Sequence, residues 1–251
     1  MPLDRDEIDD RVSERAEEVD DRLDHIPDSY SMPDLEDMTI GTAKKFHLSL
    51  VYVDIHRFTE YTSEQDDKDV LFMLNLFIPE IIEIVRDLDG YFEKNTGDGI
   101  LAYFGAGETN SQKAHLVFEY LATVKYALAN HVNPKLEQYD IEPIQIKAGA
   151  AVGDVYISRT GVNRLNRRTA VGMVANIGAD LEEKAAKNEY FVSHGIKRLA
   201  ERGGCDWAEY LTDMGSHGTY RWRPNSDAEW EDAHYWNFTG GWADTDWENL
   251  K

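Results

Sequence analysis

Two apolar segments, each carrying one aspartate at its end, constrain the fold of this chain more than any other feature. Residues 46–54 form a run rich in β-branched and aliphatic side chains, which ends in Asp54 and opens into a polar turn. Further along, Gly97 and Gly99 flank Asp98 between two short apolar runs. Such runs are typical of buried strands, and an Asp-Gly pair is typical of a hairpin turn. The sequence therefore predicts a sheet with Asp54 and Asp98 at the ends of adjacent strands.

The middle of the chain has the predicted element order β-α-β-β-α-β. Alternating apolar residues predict a strand at 144–152, and three-and-four spacing predicts the helices. The predicted strands are 46–55, two that flank residues 96–99, 144–152 and 190–193, and the predicted helices are 67–88, 111–131 and 173–187. Pro79 is expected to kink or break the first of these helices. This order resembles a ferredoxin-like core, which predicts an α+β fold.

The two ends of the chain differ from its middle, so we expect a catalytic domain at 46–205 between an N-terminal segment, 1–45, and an extension, 206–251. Residues 4–26 carry an apolar stripe at helical spacing, which could dock on the body or on a partner helix. All six tryptophans lie in 206–251, and residues 220–223 suggest one more strand. The extension is interpreted either as an aromatic strap that completes the sheet and packs on the body, or as a sensor or partner surface.

The negative charge of the chain argues against nucleic acid and anionic lipid as partners. The net charge is −22, of which −11 falls in residues 1–40 and −7 in 206–251. Such a surface repels nucleic acid and anionic lipid, so we expect neither as a partner.

Cys205 is the only cysteine, which precludes an intrachain disulfide and fits a reducing cytoplasm. Because the first residues are neither basic nor apolar we expect no secretory signal, and because the most apolar stretch is short and carries acids we expect no membrane span.

The two aspartates suggest a site for a pair of divalent cations. Two carboxylates at neighbouring strand ends can hold two hard cations, which promote in-line displacement at phosphorus. The turn at 55–59 can present backbone N–H groups to a phosphate, which makes Ile55, Phe58 and Thr59 candidate substrate contacts. The alternative is a helix-capping Asp54 and an ordinary hairpin turn at Asp98. The first interpretation indicates chemistry on a nucleoside triphosphate.

Residues 46–195 resemble the catalytic domain of class III nucleotidyl cyclases, because three motifs of that family occur here in order. They are Asp54-Ile55-His56-Arg57-Phe58-Thr59, then Lys94-Asn95-Thr96-Gly97-Asp98 with Phe104-Gly105, and then Thr169-Ala170-Val171-Gly172 with Ala175-Asn176-Ile177-Gly178-Ala179-Asp180-Leu181-Glu182. The resemblance implies a head-to-tail homodimer with active sites between the protomers, and two Mg²⁺ or Mn²⁺ ions held by Asp54, Asp98 and the Ile55 carbonyl.

The resemblance also implies roles for residues of the second and third motifs. Lys94 and Thr169 of the other protomer would recognise the base, and Asn176 would orient the ribose. The family carries an arginine where this chain has Asp180, and an acid there would repel the phosphate. Either catalysis is weakened or another cation substitutes. The candidates are Arg164, Arg167, Arg168 and Lys184, although a solvated loop explains the basic segment equally well.

The identity of the base is the last inference from sequence. Lys94 with Thr169 resembles the pairing in bacterial adenylate cyclases, whereas guanylate cyclases prefer an acid at position 94. A lysine donor also suits a uracil carbonyl, whereas cytosine offers an amine. Tyr52 lies two residues before Asp54, on the same face of the strand, and either narrows the base pocket or merely packs beneath it.

With Asp180, Tyr52 and no receptor module, the chain is similar to the pyrimidine cyclases of bacterial Pycsar anti-phage systems. In those systems the cyclic nucleotide activates a separate effector protein. We therefore expect a uridylate cyclase that uses UTP, with an adenylate cyclase or a non-catalytic nucleotide-binding pseudocyclase as the alternatives.

Overall fold

The computed structural model describes residues 5–95, 97–223 and 227–250, and gives the backbone alone for residues 5–10, 17, 20, 21, 94 and 95. The helices are α1 (Arg5–Leu23), α2 (Phe58–Glu64), α3 (Asp67–Asp87), α4 (Asn110–Ala127), α5 (Asn133–Gln138), α6 (Met173–Lys184) and α7 (His194–Gly203). The strands are β1 (Ala43–Ile55), β2 (Tyr91–Asn95), β3 (Gly99–Phe104), β4 (Ile146–Val162), β5 (Leu165–Val171), β6 (Tyr190–Ser193), β7 (Leu211–Trp222) and β8 (Glu231–Phe238). A π-helical segment, Leu128–Val132, joins α4 to α5.

One sheet contains all eight strands in the order β2-β3-β1-β4-β6-β8-β7, with β5 paired to β4. Strands β1 to β4 belong to the β-α-β-β-α-β unit. They lie side by side in the order β2-β3-β1-β4, and β1 is antiparallel to both of its neighbours, β3 and β4. This is the strand order of a ferredoxin-like core, so the predicted α+β fold is confirmed. Strand β6 then joins β4 in parallel, and β7 and β8 extend the same edge.

Alternation along β1 assigns its side chains to two separate cores. Val51, Val53 and Ile55 lie in the larger core, which α3 and α4 cover. Leu48 and Leu50 lie in the smaller core on the opposite face, together with residues of α6. Because successive side chains of a strand point to opposite faces, Tyr52 and Asp54 lie on the α6 side.

Two glycines let α6 lie directly on the sheet. A Cβ atom on Gly149 of β4 would lie 2.2 Å from the Gly178 carbonyl oxygen, and one on Gly178 would lie 3.0 Å from Cε2 of Tyr52. Backbone can approach this closely only where a side chain is absent. The packing fixes the height of α6, and with it Asn176, above β1 and β4.

Several sequence-based predictions were wrong in detail. Helix α3 continues through Pro79 without a break, since Pro79 is exposed and the carbonyl it leaves unpaired can meet water. Residues 165–171 are not a strand-end loop but strand β5, paired with β4. The strand suggested at 220–223 is the end of the longer β7. Helix α7 was not predicted.

The terminal segments contact the body to different extents. After β8 the chain lies against α4, where Trp242 Nε1 donates to Thr123 Oγ1 over 3.1 Å and Lys125 Nζ donates to the carbonyls of Phe238 and Gly240. In α1, Arg22 donates to the Ile40 carbonyl over 2.8 Å, whereas Val12 is 57% exposed. Within the described residues, no helix combines the length and the apolar character needed to cross a membrane.

Candidate active site

The structure brings the carboxyl groups of Asp54 and Asp98 together. Asp54 lies near the end of β1 opposite Gly99 of β3, and its side chain is hydrogen-bonded to Asp98. Burial, followed by the charges of Asp98 and Glu182, raises the pKa of Asp54 to about 7. Two acids in contact repel when both are ionised, so the pair holds a proton or needs a cation. Of the alternative drawn from the sequence, the capping role of Asp54 is wrong, since Arg57 is the N-cap of α2, whereas Asp98 does lie in the turn between β2 and β3.

The residues present fit divalent cations of the Mg²⁺ type. Within the described ranges no group of three or more His, Cys, Asp or Glu side chains has the spacing of a metal site. Mg²⁺ is commonly held by one or two carboxylates, with substrate phosphates and water completing its shell. The Asp54–Asp98 pair, adjoining the Ile55 backbone, matches that pattern rather than an all-protein cage.

Lys147 lies opposite Asp54 in the sheet, and its charge acts on that carboxyl group, although it was not identified from the sequence. It faces Asp54 across the β1–β4 pairing, and its Nζ lies 2.7 Å from Oε1 of Glu182 on α6. Both side chains are less than one-fifth exposed. The charge of Lys147 lowers the pKa of Asp54 against the effects of burial and the acids. In the sequence, the only feature that points to Lys147 is its place in the predicted strand 144–152, where apolar residues alternate.

Tyr52 lies between the sheet and α6, with its ring against Gly178. Burial, followed by the charges of Glu93 and Glu182, raises the pKa of Tyr52 to about 12. The ring therefore does pack beneath the site, and its hydroxyl lies near two acids. The same side chain supports α6 and borders the Asp54 region, so the two interpretations of Tyr52 are not exclusive.

The other predicted substrate contacts are spread over three elements. Phe58 packs against the larger core and Thr59 is exposed, both in the first turn of α2. Thr169 is paired with Ser158 in the β4–β5 hairpin, and Asn176 is exposed on α6. The side chain of Lys94, and all of Thr96, lie outside the described residues.

Arg168 is not brought to the carboxylate pair. Its Nη2 donates to the Pro33 carbonyl over 2.7 Å, and burial lowers its pKa against the charges of Glu93 and Asp34. The charged groups with the largest effect on the pKa of Asp54 are Asp98, Glu182 and Lys147. Within one chain, Arg168 therefore ties β5 to the N-terminal segment.

Asp180, which stands where the family has an arginine, is held by the C-terminal part of the sheet. The Tyr220 hydroxyl on β7 donates to Asp180 Oδ2 over 2.7 Å. Burial and this hydrogen bond raise the pKa of Tyr220 to about 12. The position thus has a structural partner, while the positive charge near the carboxylate pair comes from Lys147 on β4.

The comparisons with known proteins agree with this fold. The family described as the adenylate and guanylate cyclase catalytic domain matches residues 42–214. Cytidylate cyclases of Staphylococcus aureus and Escherichia coli are 25% and 26% identical over 159 and 172 residues, which cover 62% and 65% of this chain and 38% of each relative. The chain thus spans well under half the length of these relatives.

Solved structures show the same fold. The adenylyl cyclase CyaB from P. aeruginosa superposes with a TM-score of 0.66 at 18% sequence identity, over 80% of this chain and 98% of that one. The guanylyl cyclase Cya2 superposes with a TM-score of 0.64 at 18% identity, over 80% and 96% of the two chains. Together with the family match over more than half of the sequence, this shows that the chain belongs to the adenylate and guanylate cyclase catalytic-domain family.

Proposed function

We propose that this chain is a pyrimidine nucleotide cyclase that converts UTP to 3′,5′-cyclic UMP and pyrophosphate. The observation that carries the proposal is the hydrogen-bonded pair of Asp54 and Asp98, half-buried and next to Lys147. When bound by Asp54, Asp98 and the Ile55 carbonyl, two Mg²⁺ or Mn²⁺ ions would acidify the ribose 3′-hydroxyl and balance the charge of the leaving pyrophosphate.

The protein side chains position the substrate. Asp54 and Asp98 fix the metal-binding end of the site on two hydrogen-bonded strands. Lys147, whose charge already acts on Asp54, would supply a positive group to a triphosphate bound at this pair. Asn176 projects from α6 and can donate a hydrogen bond that holds the ribose ring. Proximity and electrostatic stabilisation of this kind supply most of the catalysis in phosphoryl transfer.

The proposal includes a homodimer, since the described part of one chain does not bring every predicted contact to the carboxylate pair. Thr169 lies on β5, and in one chain it has no contact with the carboxylate pair among those that the structure gives. The β4–β5 hairpin also exposes apolar side chains, with Leu165 at 77% and Met173, just beyond β5, at 67%. A second copy that covers these residues would bring its Lys94 and Thr169 to the base.

The choice of UTP rests on Lys94, which can only donate hydrogen bonds and so suits a uracil carbonyl better than the cytosine amine. The names of the curated relatives favour CTP as a second candidate, because both are cytidylate cyclases. By similarity to Pycsar systems, the cyclic nucleotide would act in the cytoplasm as a second messenger of anti-phage defence and would activate a separate effector protein.

One assay separates these possibilities. Purified protein is incubated with Mn²⁺ and each of the four nucleoside triphosphates, and the products are resolved by chromatography. Cyclic UMP as the main product supports the proposal, and cyclic CMP supports the second candidate. Cyclic AMP would instead identify an adenylate cyclase. A chain that forms no cyclic product, while Asp98→Asn still binds nucleotide like the wild type, would be a pseudocyclase.

The part played by Tyr52 has its own test. Replacing Tyr52 by phenylalanine removes a hydroxyl near Glu93 and Glu182 but keeps the ring that supports Gly178. We expect a lower ratio of pyrimidine to purine turnover, with an unchanged melting temperature. Tyr91→Phe, on β2 against the smaller core, is the matched control. An unchanged substrate ratio in Tyr52→Phe would mean that Tyr52 only packs beneath the site.

A further inference from the structure

A partly open cavity of about 150 Å³ lies between α6 and the β7–β8 hairpin. Ile177 and Leu181 line it from α6, and Ser193 and His194 line it from the junction of β6 and α7. His217, Tyr220 and Trp222 complete its wall from β7. Its lining includes none of Asp54, Asp98, Lys147 or Asn176, so it is separate from the carboxylate pair.

The cavity wall contains polar groups with nothing to bind in the described part of the chain. His217 is only 4% exposed, and neither of its ring nitrogens has a hydrogen-bond partner there. Ser193 is 7% exposed, and its hydroxyl has no hydrogen-bond partner there either. The same is true of both ring nitrogens of His194. A buried donor or acceptor without a partner destabilises a protein, so a cluster of them around one space indicates a missing partner.

The chemistry of the wall restricts what that partner is. Burial, followed by the charges of Arg198 and Lys197, lowers the pKa of His194 to about 4, and burial also lowers that of His217. A neutral imidazole offers one donor and one acceptor. Across the described residues no His, Cys, Asp and Glu side chains form a metal-binding group. These groups suit a partner that carries both donors and acceptors, and the Arg221 guanidinium, which also lines the cavity, donates to the Trp230 carbonyl.

Aromatic rings form much of the wall of this cavity. The His194 ring lies 4.2 Å from that of Trp222, and the His217 ring lies 4.7 Å from that of Tyr220, measured between centroids. A cavity of about 150 Å³ is large enough for a six-membered aromatic ring. Flat rings with donors and acceptors on their edges, such as nucleobases, stack on aromatic side chains and hydrogen-bond at the same time.

We propose that this cavity binds the ring of a nucleobase, with His217, His194 and Ser193 as its hydrogen-bonding groups and the aromatic rings of β7 as its walls. The proposal does not depend on catalysis. Its occupant would nevertheless lie beside the Tyr220–Asp180 hydrogen bond, one helical turn from Asn176. A ligand there would thus contact the helix that carries a predicted substrate contact.

Titration of the protein with the free bases uracil, cytosine and adenine, followed by NMR of the histidine ring signals, tests the proposal. We expect at least one base to shift the His194 and His217 signals saturably, with a dissociation constant on the order of 1 mM. Ser193→Ala and His217→Leu should each weaken that binding by about tenfold, because each removes a hydrogen-bonding group from the wall. His131→Leu, at an exposed histidine of the π-helical segment, should leave it unchanged.

Three results would overturn the proposal. The first is the absence of a saturable shift with every base, which would mean that the cavity holds ordered water. The second is a shift confined to His56, which would place the ring near Asp54 instead. The third is equal affinity in wild type, Ser193→Ala and His217→Leu. Ser193→Ala changes a single atom, so it remains informative if His217→Leu does not fold.

Discussion

Replacing Gly99 by alanine is expected to separate Asp54 from Asp98. A Cβ atom at Gly99 would lie 2.1 Å from the Val53 carbonyl oxygen and 2.6 Å from Asp54 Oδ1. Ordinary contacts are more than about 1 Å longer, so β3 must move away from β1 by roughly that distance. Overpacking of this kind costs about 1–3 kcal/mol. For a chain of this length, each kcal/mol lowers the melting temperature by about 2–4 °C.

The same displacement should affect the proposed activity more strongly than it affects stability. A misplacement of about 1 Å at a reacting centre can lower the rate by about 100-fold. The assay follows cyclic nucleotide formation with Mn²⁺, and thermal unfolding with and without Mn²⁺. We expect Gly99→Ala to lose most of its turnover and most of the stabilisation that Mn²⁺ gives the wild type.

Gly153→Ala is the matched control for Gly99→Ala. It also introduces a methyl group into a strand of the same sheet, but its Cβ atom would meet only Val174 at an ordinary distance of 3.5 Å. The control should therefore keep both turnover and the Mn²⁺ effect. If Gly99→Ala and Gly153→Ala had the same melting temperature and the same response to Mn²⁺, that result would contradict the close contact between β3 and Asp54.

Three further predictions concern contacts around the site and beneath the C-terminal segment. Lys147→Met leaves Glu182 without its ion-pair partner and should lower the free energy of unfolding, measured by urea denaturation, by about 2 kcal/mol. Adding Glu182→Gln should restore part of that loss. If the effects of the two substitutions simply added, the ion pair would be contradicted. Tyr220→Phe removes the hydrogen bond to Asp180 and should cost about 1 kcal/mol by the same method, whereas an unchanged midpoint would show that the bond is not formed. Burial lowers the pKa of Lys125 from 10.5 to about 7. Between these pH values the unfolded chain binds a proton that the folded chain has released, so the wild-type free energy of unfolding should rise with pH relative to Lys125→Met, by at most about 1.4 kcal/mol per pH unit. A constant difference would mean that the carbonyls of the C-terminal segment keep the lysine protonated.

The core strands and the acid pair could be predicted from the sequence because their signals are local. An apolar run that ends in Asp54 is a strand in almost any context, and glycines on both sides of Asp98 favour a turn. The β-α-β-β-α-β order then restricts the sheet to few topologies, in which the two acids become neighbours. Of the kink or break expected at Pro79, the break was wrong, because the carbonyl that an exposed proline leaves unpaired can bind water.

Strand β5 could not be predicted because its basic, polar segment has no strand periodicity of its own. Its conformation comes from the pairing with β4. Context of this kind often overrides local propensity in strands, because what matters is the surface against which a side chain packs. The same dependence on a partner explains why β7 was only partly recognised.

The sequence by itself determined the core of the sheet, the position of the acidic pair and the family of the chain, because short-range periodicity and motif spacing carry those signals. Only the tertiary structure decided that Lys147 faces Asp54, that Tyr220 holds Asp180, and that Ser193 and His217 border one cavity. Each of these contacts joins residues far apart in the chain, and strand register and the packing of α6 against the sheet set them. Strand register and helix packing of this kind produce no periodic pattern in the sequence around these residues.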